Sequence, residues 1–405
     1  MAAPHRIFLI PGLFGFGHLA GYEYFNHVRR QIGAEFRQRG LSVEFYDAPT
    51  PPTSSLRYRA EVVARTIAHH AGTEGPIHLV GHSTGGLDAR LLLSPSAQLR
   101  LGADLLAWRS RVKSLVTLNT PHYGTPLASY FSTVSGARML YALSLLTILS
   151  LKLGEPSLAI FARVLAGVGG IDALVGGDLR LFSRLTEGLL RFVAKERRGE
   201  IHDYLSKVLT DQGAILQISP EAMDIFNASV RDREGVLYGS VLALAPRPSS
   251  LKAARRIRSP STAISAALYA TLYQFASQPH ERYGYARLDA RSRTLIETAT
   301  GSTPTDEDTD GIVPTLSMQW GRTIAAVEAD HLDTLGHFLD FDKPRIHTDW
   351  LTSGARMSRE RFSSLCRAIA EFQLGPFSEA EAAPPVPDGA GGSPMIGSDR
   401  RIFSP

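Results

Sequence analysis

The stretch that most restricts how this chain can fold is Gly81-His82-Ser83-Thr84-Gly85-Gly86. It follows a short run, Ile77–Val80, that is apolar except for His78, and it leads into a helical pattern over Thr84–Leu93. A serine set between glycines at such a junction suits a sharp strand-to-helix turn, where the backbone is strained and larger flanking side chains would clash. The turn projects the serine hydroxyl, and the helix N-terminus behind it favours negative charge developing nearby. Ser83 is therefore the candidate nucleophile.

The surrounding sequence extends this unit into a sheet. Ile7–Ile10, Leu41–Asp47 and Val112–Leu118 also read as strands, with helices over Tyr22–Arg39 and about Ser55–Ala71. Strands separated by helices imply a parallel sheet covered on both faces, with right-handed crossovers. From Pro126 to about Gly235 leucine and alanine at helical spacing replace the strand pattern, and glycines cluster at Gly167, Gly169, Gly170, Gly176 and Gly177. This predicts a helical cap inserted into the fold, with the uncharged run Met139–Leu151 inside it and Val134–Leu165 as the lid candidate. Strand pattern returns at Val236–Leu244, helix at Ala263–Phe275, strand at Arg322–Glu328 and helix at Ser358–Phe372. The expected organisation is an α/β core over 1–125 and 236–374, a cap over 126–235, and a Pro/Gly/Ala/Ser-rich tail over 375–405 that is disordered.

The remaining parts of a serine site follow from chain order. An oxyanion is held by backbone N–H groups. One belongs to Thr84, the residue after the serine. The other comes from the turn after the first strand, Pro11-Gly12-Leu13, which makes Leu13 the donor. With a serine on this kind of turn, the acid and then the histidine follow in sequence. Among 13 histidines, His331, His337 and His347 lie late enough, and His331 directly follows the last strand in Asp330-His331-Leu332-Asp333. His122 reads as a structural loop histidine. Asp306, Glu307, Asp308 and Asp310 share the acidic loop before Gly311, and Asp310 precedes the glycine that would turn its carboxylate inward. Such an acid fixes the imidazole tautomer and stabilises the imidazolium.

In this order the motifs resemble those of the bacterial triacylglycerol lipases, within the α/β-hydrolase superfamily, and especially the subgroup without a disulfide. Pro11-Gly12-Leu13 stands where that family has a His-Gly-Leu turn, and Gly21-Tyr22-Glu23-Tyr24-Phe25 resembles its glycine-aromatic-x-Tyr-Phe stretch. The Ser83 turn, Thr117-Leu118-Asn119-Thr120-Pro121-His122-Tyr123-Gly124, Asp310-Gly311-Ile312-Val313 and Asp330-His331-Leu332-Asp333 resemble its further motifs over roughly 1–125 and 285–340. The resemblance implies an α/β-hydrolase fold, a Ser83–Asp310–His331 triad and a calcium ion near the histidine. It puts Asp333 on one calcium ligand position and Asp289 on another, while His337 replaces an oxygen-bearing side chain. Asp289 also reads as the N-cap of the helix after it.

Together these readings predict a serine ester hydrolase for lipidic or medium- to long-chain acyl esters, with access to a lipid–water interface and no cofactor needed for the chemistry. The same machinery would serve a polyhydroxyalkanoate depolymerase, a phospholipase or an acyltransferase. A vestigial, non-catalytic lipid-surface binding protein is the alternative of another class. A formal charge of +4 and one short basic run, Arg255-Arg256-Ile257-Arg258, give no nucleic-acid footprint. Met139–Leu151 falls short of the roughly 20 residues of a membrane span. The single cysteine, Cys366, is expected to be a buried, inert thiol. The chain start lacks a signal-peptide pattern, which predicts a cytoplasmic protein or signal-peptide-independent secretion.

Overall fold

The structure is a computed structural model that describes residues 3–13, 18–19, 22–133, 136–137, 140–141, 143–144, 187, 195–249, 260–338, 349 and 351–375. Six strands, β1 (His5–Ile10), β2 (Val43–Asp47), β3 (Ile77–His82), β4 (Val112–Leu118), β5 (Leu237–Leu244) and β6 (Arg322–Glu328), form one sheet. Their order is β2-β1-β3-β4-β5-β6, and every pair is parallel. His18–Leu19 and Tyr22–Glu23 pair as a small antiparallel ribbon, so the first helix starts later than its sequence pattern suggests.

Strand alternation feeds two apolar layers. Ile7 and Leu9 of β1 join one core with Val28, Ile32 and Phe36 of α1 (Asn26–Gln38) and with Leu365 and Ile369 of α10 (Arg359–Leu374). Phe8 and Ile10 point the other way. They meet Val63 and Ile67 of α2 (Leu56–His70) and Leu92 of α3 (Thr84–Leu93). The chain steps from β1 outward to β2 through α1, then back past β1 to β3 through α2. Right-handed crossovers in opposite directions put those helices on opposite faces, as observed. β3, third in this order, has all six residues buried, as a parallel strand covered on both faces must.

The reversal of strand order between β1 and β3 opens a crevice at their C-terminal ends, the usual ligand position in an open parallel sheet. Among the described residues, helices α4 (Leu127–Phe131), α5 (Arg198–Thr210), α6 (Gly213–Gln217) and α7 (Pro220–Ser229) lie between β4 and β5 in the chain. They fall in the segment expected to form a cap. Most of Val134–Leu165, the glycines at 167–177, nearly all of the basic segment 249–258 and the tail beyond 375 lie outside the described residues. Helix α8 (Pro260–Ala276) follows β5, and α9 (Ala290–Thr300) packs on β6. Ser55, Ser219, Asp289 and Ser358 cap α2, α7, α9 and α10 by accepting N–H groups of their first turns. Cys366 is buried in the α10 core.

Candidate active site

Ser83 follows the last residue of β3 and holds φ +52° and ψ −129°. Among the described residues only Asn119, at φ +50°, is another non-glycine with positive φ. Such conformations cost about 1–3 kcal/mol and need a surrounding structure that enforces them. Here Ser83 N–H donates to Leu118 O at 2.8 Å and Gly86 N–H to Ser83 O at 3.1 Å. The glycines are steric necessities. A Cβ on Gly85 would stand 2.2 Å from Ile10 O, and one on Gly81 would stand 2.5 Å from Gly86 N. The turn after β1 presses on the serine itself, since a Cβ on Gly12 would lie 2.5 Å from Ser83 Cβ.

Opposite the serine, β6 ends two residues before Asp330, and His331 follows. Its Nδ1 donates to Asp310 Oδ2 at 2.6 Å. A carboxylate only accepts, so this bond puts the proton on Nδ1 and leaves Nε2 as an acceptor. Asp310 is fully buried, and four donors converge on it. Asn119 Nδ2 reaches Oδ2 at 2.8 Å, while Ile312 and Val313 N–H reach Oδ1 at 2.9 and 2.8 Å. Gly311, at φ +96°, makes the turn that aims these two amides back at the side chain.

Arg59 on α2 fixes the turn after β1 from behind. Its guanidinium is fully buried and pairs with the equally buried Asp88 of α3 at 2.8 Å. Nη2 also donates to Pro11 O at 2.9 Å, Gly12 O at 3.2 Å and Thr84 Oγ1 at 3.3 Å, and Nη1 donates to Pro51 O at 2.6 Å. Across a trans peptide, C=O and N–H point in opposite directions. With the Gly12 carbonyl facing Arg59, the Leu13 N–H of the same peptide faces away from it.

Ser83, His331, Leu13 and Tyr24 border one cavity of about 50 Å³. Its other walls are almost wholly apolar. Leu127, Phe131, Leu143 and Ile218 come from the 126–235 segment, and Ile312, Val313 and Leu332 come from the loops at the strand ends. This space is far below the roughly 300–1,000 Å³ of a pocket that holds a ligand of moderate size.

By sequence, no protein-family model and no curated protein matches the chain. Its structure is similar to that of lipase 1 from Pelosinus fermentans, with a TM-score of 0.51, 17% identity and coverage of 92% of this chain and 99% of the other. It is also similar to EstA from Clostridium botulinum, with a TM-score of 0.47, 16% identity and 92% and 87% coverage. For the Staphylococcus hyicus lipase the TM-score is 0.46, with 15% identity and 91% and 95% coverage. The fold is that of the α/β-hydrolases.

In this fold the sequence-derived residues Ser83, His331 and Leu13 meet at the cavity, Asp310 lies behind His331, and Thr84 opens α3 beside Ser83. The rival acids are engaged elsewhere: Asp308 accepts from Thr305 and Arg247, and Glu307 pairs with Arg247. His337 packs edge-on against His27 with ring centroids 5.6 Å apart, and His347 lies outside the described residues. His122 is buried between Arg90 and Thr117, a structural position. Asn119, Arg59 and Asp88 are site-supporting residues that sequence reasoning passed over. The left-handed tolerance of asparagine was the one local hint, at Asn119.

The carboxylates near His331 differ from the pair named by resemblance. Asp333 comes together with Asp330 and Asp349, their oxygens within 4.8 Å of one another. Asp289 does not belong to this group. It accepts the Ser292 N–H at 2.6 Å as the N-cap of α9. Burial holds the Asp330 carboxyl well above the usual range, although Ser353 Oγ donates to it at 2.7 Å. Three hard oxygen donors, two of them on buried residues, fit the ligand chemistry of calcium. Among the described residues, no helix is long and apolar enough to cross a membrane.

Proposed function

We propose that this protein is a serine ester hydrolase for carboxylic esters with lipidic or medium- to long-chain acyl groups. One observation carries the reading: an imidazole, oriented by a saturated carboxylate, shares an apolar cavity with a serine held at φ +52°. His331 Nε2 takes the Ser83 proton as Oγ adds to the ester carbonyl. The tetrahedral oxyanion is held by the Leu13 and Thr84 N–H groups, whose preorganisation lowers the barrier. The C–O bond to the alcohol breaks, and the imidazolium passes its proton to that leaving oxygen. Water then adds to the acyl-enzyme, giving a proton to His331, and Ser83 Oγ leaves with that proton.

The apolar walls favour an alkyl chain over a polar acyl group. That Leu127, Phe131, Leu143 and Ile218 line this cavity supports reading the 126–235 segment as its cap. The small volume belongs to a closed state that must widen to take substrate, so a lipid–water interface that covers exposed apolar surface favours the open state. A calcium ion held by Asp330, Asp333 and Asp349 would supply charge compensation and fasten the His331 loop, outside the chemical steps.

The test is a p-nitrophenyl ester series from acetate to palmitate, together with fluorophosphonate labelling. The reading expects turnover to rise from acetate to medium chains and Ser83→Ala to abolish both turnover and labelling. Turnover or labelling that survives in Ser83→Ala would overturn it.

A further inference from the structure

We infer that Tyr24 is a positioning residue, holding the His331 loop in register with Ser83 through the side chain of His82. The inference rests on the ester-hydrolase reading and adds to it a link that neither the triad nor the oxyanion donors contain.

His82 immediately precedes Ser83, yet its side chain turns into the protein and is fully buried. Its Nε2 lies 2.9 Å from His331 O, and its Nδ1 lies 2.8 Å from Tyr24 Oη. A carbonyl oxygen can only accept, so Nε2 carries the ring proton. Nδ1 is then bare, and the Tyr24 hydroxyl must donate to it. Burial, with the nearby His331 ring adding to it, drives the His82 pKa well below its ordinary value, so the ring holds a single proton. One directed path therefore runs from Tyr24 O–H to His82 Nδ1, and from His82 Nε2–H to the His331 carbonyl. The path ends on the loop that carries the base, and His82 itself directly precedes Ser83.

Tyr24→Phe removes one oxygen and keeps the ring that packs edge-on against Phe25 at 4.9 Å. Without the hydroxyl, His82 Nδ1 becomes a buried acceptor without its donor, and the ring is fixed only through Nε2. The base loop shifts, and misplacement on the ångström scale is enough to slow an oriented reaction by orders of magnitude. Glutamine at position 82 can still donate to the carbonyl from Nε2 and accept from Tyr24 at Oε1. Leucine can do neither.

Steady-state hydrolysis of p-nitrophenyl octanoate tests this, with melting temperatures measured in parallel. Tyr24→Phe should lower kcat about tenfold to fiftyfold with KM within about twofold, because the loss falls on the transition state. His82→Leu should lose as much, His82→Gln should stay within about threefold of wild type, and Tyr24→Phe added to His82→Leu should cost little more. An unchanged kcat in Tyr24→Phe overturns the inference, as does a rise in KM alone or full additivity with His82→Leu. If Tyr24→Phe does not fold, equal kcat in His82→Gln and His82→Leu overturns it instead. Failure of wild type to cleave the ester, or cleavage by Ser83→Ala, overturns the hydrolase reading and takes this inference with it. Normal wild-type turnover with an unaffected Tyr24→Phe overturns the inference alone.

Discussion

Asn119 Nδ2 donates at 2.8 Å to the same Asp310 oxygen that accepts the His331 ring N–H at 2.6 Å. The amide thus shares the acceptor that sets the histidine's orientation, and it does so from a backbone held at φ +50°. Asn119→Gly deletes the amide while suiting that backbone, and loss of a hydrogen bond to a charged group, worth about 1.5–3 kcal/mol, should lower kcat at least tenfold. Asn119→Asp should be worse. Two buried carboxylates in contact cannot both stay ionised, so one takes a proton and the hold on His331 weakens. Steady-state kinetics of the two variants check the order; wild-type kcat in Asn119→Asp would refute the coupling.

Arg59 and Asp88 separate stability from activity. Arg59→Met leaves Asp88 buried without its partner, which should cost about 3–5 kcal/mol in urea denaturation. Adding Asp88→Leu replaces the pair by apolar side chains and should recover most of that stability. Activity should not recover, because the Pro11 and Gly12 carbonyls lose the guanidinium that orients their peptides in both variants. A double variant that regains kcat together with stability would show that Arg59 serves the fold alone.

What could be read from the sequence was local or ordered along the chain. The glycines around Ser83 mark its turn because the constraint lies within six residues, and period and caps mark most of the helices. Asp310 and His331 followed from their order after the serine and from the turn glycine at 311. Arg59 was illegible: in a helix reading Leu56-Arg57-Tyr58-Arg59 nothing distinguishes a buried guanidinium from its solvated neighbours. Its partners are set by which strands lie side by side, and only the order β2-β1-β3-β4 brings α2 behind the turn after β1. Asn119 meets Asp310 across 191 positions for the same reason. Asp349 lies outside the motifs that carry the resemblance, and the resemblance put Asp289 in its place.

His78 gives the fold a measurable pH dependence. It sits at the other end of β3 from Ser83, with Nε2 3.1 Å from His5 Nδ1 and Nδ1 2.9 Å from Ser114 Oγ. Burial, with His5 and Lys113 adding to it, pushes its pKa down to about 3 from an ordinary 6.5. Above pH 6.5 both folded and unfolded chains carry it neutral, and its contribution is complete. As pH falls from 6.5 toward about 3 the unfolded chain takes up the proton and the folded chain does not, so stability is lost. His78→Gln removes this titration. The stability difference between wild type and variant should therefore move against wild type by about 1.4 kcal/mol per pH unit over that window, other groups cancelling in the difference. A pH-independent difference in urea unfolding would show that His78 titrates in the folded chain as it does in water.

The cluster of Asp330, Asp333 and Asp349 makes opposite predictions with and without a cation. Without one, three carboxylates within 4.8 Å repel each other in a partly dry site. With calcium, their oxygens become ligands and the ion stabilises the folded chain by mass action, about 2.7 kcal/mol at a hundredfold excess over Kd. Calcium should therefore raise the melting temperature by several degrees and a chelator should reverse it. Asp333→Asn should abolish the shift. Asp330→Asn should be more stable than wild type in chelator, because a repelling charge is gone, and less stable than wild type in calcium, because a ligand is gone. Asp289→Ala should lose about 1 kcal/mol in both conditions, the value of a helix cap, with the calcium shift intact. If Asp289→Ala removed the shift and Asp330→Asn did not, the ion would sit at α9 and the cluster beside His331 would be a hydrogen-bonded turn.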